Sequence, residues 1–279
     1  MSINSIWDWL GKKIEPIVHE YTWKDVVLYA LGVGAQPDEL ALVYENAPGG
    51  MRVLPSYCVI AEYEAMIDFE TSVDQTKMLH GEQLIRLFRP IPPEGKIILT
   101  GEVKDIFDKG KAAVIHSQVT GRTEDGVKIF ETLKANFYRG AGGFGGDPGP
   151  KLEPLYPPEG VKPDFSISHP IPLGQAALYR LNGDLNPLHI DPVFAAKAGF
   201  GRPILHGLCT YGYAVRAILQ GLCDGDTSRF REFKARFSDV VYPGETLTTK
   251  GWKKENGKYI IQTRTERGVV ISNSYAIVG

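Results

Sequence analysis

Two sets of three apolar, β-branched segments dominate this chain, and each set follows a similar proline and glycine turn. KIILTGEVKDIF, KAAVIHSQVTGR and VKIFETLKANFYRG come after PPEG at 92–95, while TLTTKGWKK, KYIIQTRTER and VVISNSYAIVG come after YPGE at 242–245. Segments that alternate or run apolar between turn signals read as strands. The offset of about 150 residues between the sets marks an internal duplication.

What packs on these strands narrows the fold further. GLCTYGYAVRAILQGL, residues 207–222, is apolar nearly all round apart from Arg216, which predicts a helix buried by a sheet wrapped about it. A bent antiparallel sheet curled around one apolar helix is the hotdog arrangement. Its duplication predicts two such units joined edge to edge, which pairs off their exposed edges. The expected class is therefore α+β, a double hotdog with two bent antiparallel sheets, each wrapping a helix. In the first half LPSYCVIAEYEAMIDFE carries Pro55 and several acidic residues where the matching helix belongs, so that helix is expected to be eroded. TWKDVVLYALGVGA predicts a short helix with Thr22 and Asp25 at capping-box spacing and an end at Gly32.

RGAGGFGGDPGPKLEPLYPPEG, 139–160, lacks any hydrophobic period and reads as a linker or crossing loop. The expected organisation is a first unit over 1–140, a linker over 141–160, and a second unit over 161–279. A literal GxGxxG, at Gly140, Gly142 and Gly145, would be a dinucleotide fingerprint if a helix followed it. Gly146, Pro148, Gly149 and Pro150 follow instead.

A formal charge of -2 over 279 residues gives no basic field for nucleic acid, which is not an expected partner. Cys58, Cys209 and Cys223 are odd in number and have no CxxC spacing, so neither disulfides nor a thiolate metal site is expected. No apolar run is long enough to cross a bilayer, and the lysines of MSINSIWDWLGKKI follow its apolar residues, unlike a signal peptide. Membrane insertion is not expected. The last four residues, AIVG, do not match a peroxisomal tripeptide, so the cytoplasm is the expected compartment and the peroxisomal matrix its alternative.

The chemistry concentrates in GDLNPLHID, 183–191. Asn186 precedes Pro187 and is pushed away from helical dihedrals, which places Asp184 and Asn186 on a loop. Asp191 before Pro192 reads as a helix N-cap, with Gly199 closing that helix. Asp184 and His189 stand five apart, off one helical face, yet a folded loop can bring an acid and an imidazole to one water, with Asn186 orienting its partners. A calcium loop fails, because Leu188, His189 and Ala195 stand where oxygen, glycine and glutamate are needed. No metal is expected. Downstream, GRPILHGLCTYG sets His206 and Gly207 at the start of the apolar helix, where the Gly207 amide can face a developing oxyanion. Close packing alone would also explain that glycine. His19, His116 and His169 read as core or loop residues.

YRLNGDLNPLHID at 179–191 and GRPILHGLCTYG at 201–212 resemble the signature of the (R)-specific 2-enoyl-CoA hydratases, or hydratase 2, of the MaoC-like group. LYALGVGA, LHGEQ, FDKG and KARFSDVVYPGETL extend the resemblance over nearly the whole chain, as in the hydratase portion of multifunctional β-oxidation enzymes. The resemblance implies reversible hydration of trans-2-enoyl-CoA on a double hotdog whose second unit, 161–279, keeps the catalytic loop, while the first, 1–140, binds acyl and coenzyme groups without catalysing. It implies Asp184 and His189 as the catalytic pair, Asn186 as the supporting amide and the Gly207 backbone as oxyanion donor. It also implies coenzyme A contacts at His80, Gly81, Lys109, Phe237 and Arg236, and further polar residues at Glu45 and Tyr29. No cofactor is implied beyond the coenzyme A of the acyl-CoA substrate, and a homodimer is expected. The dehydrogenase and sterol-carrier segments of the multifunctional enzymes have no counterpart here. An acyl-CoA thioesterase and a non-catalytic acyl-CoA binding module are the alternatives. Arg229, Arg231, Lys234 and Arg236 form a basic cluster that fits either coenzyme phosphates or a solvated face.

Overall fold

The computed structural model describes residues 9–71, 74, 77–151, 153–255 and 257–279. Residues 1–8, on which the signal-peptide reading partly falls, lie outside the described residues. The first half contributes strands β1 (Ile17–Tyr21), β2 (Met78–Leu87), β3 (Gly95–Asp108), β4 (Ala112–Arg122) and β5 (Lys128–Arg139). The second contributes β6 (Phe165–Pro170), β7 (Phe230–Phe237), β8 (Thr246–Glu255), β9 (Lys258–Arg264) and β10 (Val269–Val278). The six repeated segments fall on β3, β4, β5, β8, β9 and β10.

All ten strands join one antiparallel sheet in the order β1-β3-β4-β5-β2-β7-β10-β9-β8-β6. Counted inward from each edge, the two halves run 1-3-4-5-2 and 6-8-9-10-7, so the duplication is visible in the topology itself. They meet where Glu82 to Arg86 on β2 pairs antiparallel with Arg236 to Glu232 on β7. Opposite charges face across that seam: Lys234 lies 2.8 Å from Glu82, and Arg86 Nε donates to Glu232 at 2.6 Å. A backbone ladder closed at the centre leaves neither half with a free inner edge.

Among the described residues six α-helices accompany the sheet: α1 (Trp23–Gly32), α2 (Leu40–Val43), α3 (Cys58–Thr71), α4 (Gln175–Tyr179), α5 (Pro192–Lys197) and α6 (Gly207–Leu222). The run 207–222 is helical throughout as α6, and every residue from Cys209 to Leu219 is buried. Full burial of a valine, leucine or isoleucine contributes about 1.5–3 kcal/mol. Val215, Ile218 and Leu219 reach it here.

One expectation is corrected. The first-half helix is not eroded: α3 is continuous over 14 residues. Pro55 lies ahead of it, opening the 3-10 turn Pro55–Tyr57, where a missing N–H breaks no ladder. Glu62 is buried and still tolerated, because Gln83 Nε2 on β2 donates to its carboxylate at 2.7 Å.

Side chains of the second half hold the end of α1. The last carbonyls of a helix have no intrahelical partner. Gln175 Nε2 donates to Leu31 O at 3.0 Å and Gly32 O at 2.6 Å, while buried Arg216 donates to Val33 O at 3.2 Å and to the Glu39 carboxylate. At the other end of α1, Asp25 accepts from the Thr22 N–H at 2.8 Å, as the capping-box spacing predicts. α1 and α6 approach closely at Gly212, where a Cβ would fall 2.4 Å from Val33 Cγ1.

The glycine-rich crossing loop folds onto Asp108. Its carboxylate accepts from the N–H groups of Gly110, Gly143 and Gly145, each at 2.8 Å. These amides hold the protein's own anion rather than facing outward to a pyrophosphate.

Candidate active site

The catalytic-loop candidates are set by local backbone chemistry. Gly183 adopts φ +116°, a left-handed conformation that favours glycine, and ends the 3-10 turn Arg180–Asn182. The chain then turns so that the Asp184 carboxylate accepts from Asn186 N–H at 3.2 Å. Asn186 in turn accepts from Leu188 N–H at 3.0 Å and caps the 3-10 turn Pro187–His189. Asp191 caps α5 through Val193 N–H at 2.7 Å and Phe194 N–H at 3.3 Å, as the Asp-Pro pair predicts. These nested caps deliver His189 inward, where it is buried, and leave Asp184 half-buried beside it.

His189 Nδ1 lies 3.0 Å from Ile204 O. A carbonyl only accepts, so Nδ1 carries the proton and Nε2 is left with a lone pair. Burial lowers the His189 pKa from its ordinary value; the Asp184 charge and the Ile204 carbonyl oppose that shift without reversing it. His189 is therefore a neutral imidazole with a free basic nitrogen near a carboxylate.

A third group completes the cluster, one not assigned a role by sequence reasoning. His206 stacks on His189 with ring centroids 3.7 Å apart and planes inclined by 28°, and its Nε2 donates to Asp184 O at 3.2 Å. One nitrogen of each imidazole and one Asp184 oxygen lie within 4.8 Å of one another. The cluster is knit by the protein's own bonds, His189 Nδ1 to Ile204 O and His206 Nε2 to Asp184 O. The signal in the sequence was the imidazole immediately before Gly207.

A cavity of about 480 Å³ spans the two halves of the sheet. His80 and Asn136 line it from the first half, and Asp184, His189, Gly207 and Phe237 line it from the second. Asn186 reaches its wall as well. Gly207 is the first residue of α6 and lines this cavity, so its N–H has no partner within the helix and stands at the positive end of the helix dipole. The Phe237 ring stands 3.7 Å from where a Gly207 Cβ would be.

Other proposed contacts lie outside this cavity. Gly81 is buried against Phe137, where a Cβ would approach to 2.5 Å. Lys109 is exposed and donates to Pro148 O. Arg236 is exposed on β7, and Glu45 is exposed beside Asn46. Tyr29 is fully buried, edge-on to Tyr57 at 5.7 Å. The basic cluster is largely committed within the protein: Arg229 pairs with Asp224 at 2.6 Å, Lys234 with Glu82, and Arg231 with backbone carbonyls.

Residues 19–140 match the family model for the MFE-2 hydratase 2 N-terminal domain, and residues 156–274 match the MaoC like domain. A Dictyostelium discoideum protein named probable enoyl-CoA hydratase 2 is 39% identical over 279 residues, covering 96% of this chain and 95% of that one. The chain belongs to the MaoC-like hydratase 2 family. A MaoC-like dehydratase from Phytophthora capsici superposes on this hydratase 2 homologue with a TM-score of 0.89 at 29% identity, covering 100% of this chain and 98% of that one. The mouse peroxisomal multifunctional enzyme type 2 is 40% identical over 95% of this chain, which spans 37% of that longer protein. A Mycobacterium tuberculosis structure described as a double hotdog superposes at TM-score 0.62 and 12% identity, a likeness of fold alone. The fold class is thus the α+β double hotdog.

Proposed function

We propose that the protein adds water across the C2–C3 double bond of trans-2-enoyl-CoA, giving (R)-3-hydroxyacyl-CoA, and catalyses the reverse dehydration. The observation that carries this reading is the convergence on one cavity of the Asp184 carboxylate, the free nitrogen of neutral His189 and the leading amide of α6. The names of the hydratase 2 relatives support it.

In this mechanism Asp184 and His189 hold a water against the alkene. Attack of its oxygen at C3 forms the C–O bond as the C2–C3 π electrons move towards the thioester, building charge on the carbonyl oxygen. The Gly207 amide receives that charge; loss of one such donor raises a barrier by about 3 kcal/mol. A proton from the water, carried by the acid–base pair, then reaches C2. Asn186 holds the loop through Leu188 N–H and keeps the carboxylate placed. Neither a cofactor nor a resident metal enters any step.

Chiral analysis of the product from crotonyl-CoA tests the reading. The 3-hydroxybutyryl-CoA formed should be R; an S product, or release of free thiol in place of hydration, overturns it. We further propose a homodimer. Leu181, Leu185, Ile190 and Val193, all exposed around the catalytic loop, form the surface such a dimer would cover. A monomeric mass at micromolar concentration would overturn that assignment. No described helix is long and apolar enough to cross a membrane. The cytoplasm is the compartment we propose, tested by cell fractionation against the peroxisomal matrix.

A further inference from the structure

We propose that His206 is a positioning residue for the reaction, tethering the main chain at Asp184 through Nε2 and shielding the His189 ring from water with its face. The proposal rests on the hydration reading above and adds a residue to it.

His206 occupies the N-cap position of α6, where a side chain ordinarily accepts from the first N–H groups of the helix. It makes no such bond. Instead Nε2–H reaches back 22 residues to Asp184 O at 3.2 Å. That carbonyl belongs to the residue whose carboxylate is needed in the cavity, and no other bond to it is recorded among the described residues. A single N–H thus ties the loop of 183–191 to the rigid start of α6, the same element that offers the Gly207 amide. Acid and oxyanion donor are held in one frame, and His206 is the link between them.

The ring does separate work. Its face covers His189 at 3.7 Å, and its other neighbour is Tyr179, with centroids 4.9 Å apart. His206 is 1% exposed, so this aromatic layer closes His189 off from bulk water on that side. Charging His206 would create a buried Nδ1–H where Nδ1 now has no partner, beside a second imidazole and with Arg180 also nearby. Among the described residues Asp184 is the carboxylate that acts on the stack, and it meets His206 through its carbonyl. Accordingly burial, followed by repulsion from His189, pushes the His206 pKa to about 3. It stays a neutral donor across the working range and takes no proton from the substrate.

Two substitutions separate the tether from the shield. His206→Phe keeps an aromatic face and deletes the donor; His206→Gln keeps an N–H within reach of Asp184 O and deletes the face. Misplacement of a reacting group by about an ångström lowers rates by about a hundredfold. His206→Phe should therefore lose kcat by about ten- to a hundredfold with KM little changed and the acid limb of the pH profile where it was. His206→Gln should recover kcat to within about fivefold of the parent while its acid limb moves up towards the ordinary imidazole value, because water then reaches His189. Equal loss in both variants, full activity in His206→Phe, or an unmoved acid limb in His206→Gln would each overturn the proposal. Thermal melting of both variants checks the fold, and a variant that melts early is replaced by His206→Tyr or His206→Asn in the same comparison. Failure of the hydration reading is distinct, since it would appear as absent or S-selective turnover in the parent protein.

Discussion

His80 on β2 and Phe237 on β7 meet edge to face with ring centroids 4.9 Å apart, across the seam that joins the two halves of the sheet. One ring comes from each half, and both line the cavity that holds Asp184 and His189. Phe237 also stands over Gly207, so its ring walls the space in which a thioester oxygen would meet the amide. Phe237→Ala should widen that wall and weaken ground-state binding, raising KM about tenfold, since burial of an aromatic side chain is worth a few kcal/mol. Steady-state kinetics with crotonyl-CoA would check the split, with kcat falling less than KM rises.

Asp184→Asn removes the carboxylate but keeps an acceptor for Asn186 N–H, so the loop keeps its geometry. Turnover should fall by about 10²–10⁴, with the melting temperature nearly unchanged. His189→Asn should lose activity to a similar degree. Hydration of crotonyl-CoA followed at the enoyl absorbance measures both.

Much of this arrangement was legible in the sequence. The apolar run 207–222 read as a buried helix, and the strand segments showed the duplication through repetition. Proline and glycine fixed the loop 183–191, because Asn186-Pro187 and Asp191-Pro192 restrict backbone dihedrals locally. What was not legible is what depends on contacts across the fold. The stack of His206 on His189 joins side chains 17 positions apart through a bent loop, and no periodicity encodes it. The first helix was misjudged for the same reason: acidic Glu62 argues against burial until Gln83, on another element, is known to donate to it.

Gly207→Pro isolates the proposed oxyanion donor. Proline at the first position of a helix is tolerated, since that N–H has no intrahelical partner and the fixed φ suits the helix. The preceding residue, His206, has φ −57° and ψ 136°, extended values compatible with a following proline. The variant should fold and lose about 10²–10³ in kcat, whereas Gly207→Ala, which meets Phe237 only at ordinary contact distance, should keep most of its activity. Comparable losses in the two variants would point to crowding rather than to the amide.

Arg216 ties the halves together from inside α6, reaching Val33 O and the Glu39 carboxylate while almost wholly buried. Arg216→Leu fills much of the same space without the charge, removes the donor to Val33 O and leaves the Glu39 carboxylate with only Gln36 N–H and Gln220 Nε2. Breaking such a buried pair from one side is destabilising by about 3 kcal/mol. Urea unfolding should show a lower midpoint, with the m-value unchanged if the two halves still unfold together.

Acid should unfold this protein through imidazoles that are half-buried in the fold as well as inactivate it through His189. Burial, with the Lys134 charge adding to it, pushes the His80 pKa from 6.5 to about 3, and burial pushes His169 to about 4. Both folded values lie below the unfolded one, so the unfolded chain takes up protons first as pH falls. Stability is therefore full above pH 6.5 and declines as pH drops from there towards 4 and 3. The His189 shift has the same direction, so kcat/KM should hold its plateau below the ordinary imidazole pKa before it falls. Chemical denaturation at a series of pH values gives the stability curve. His80→Leu should flatten it by removing one of the groups that charge only in the unfolded chain, and an unchanged slope in that variant would exclude His80 as a contributor.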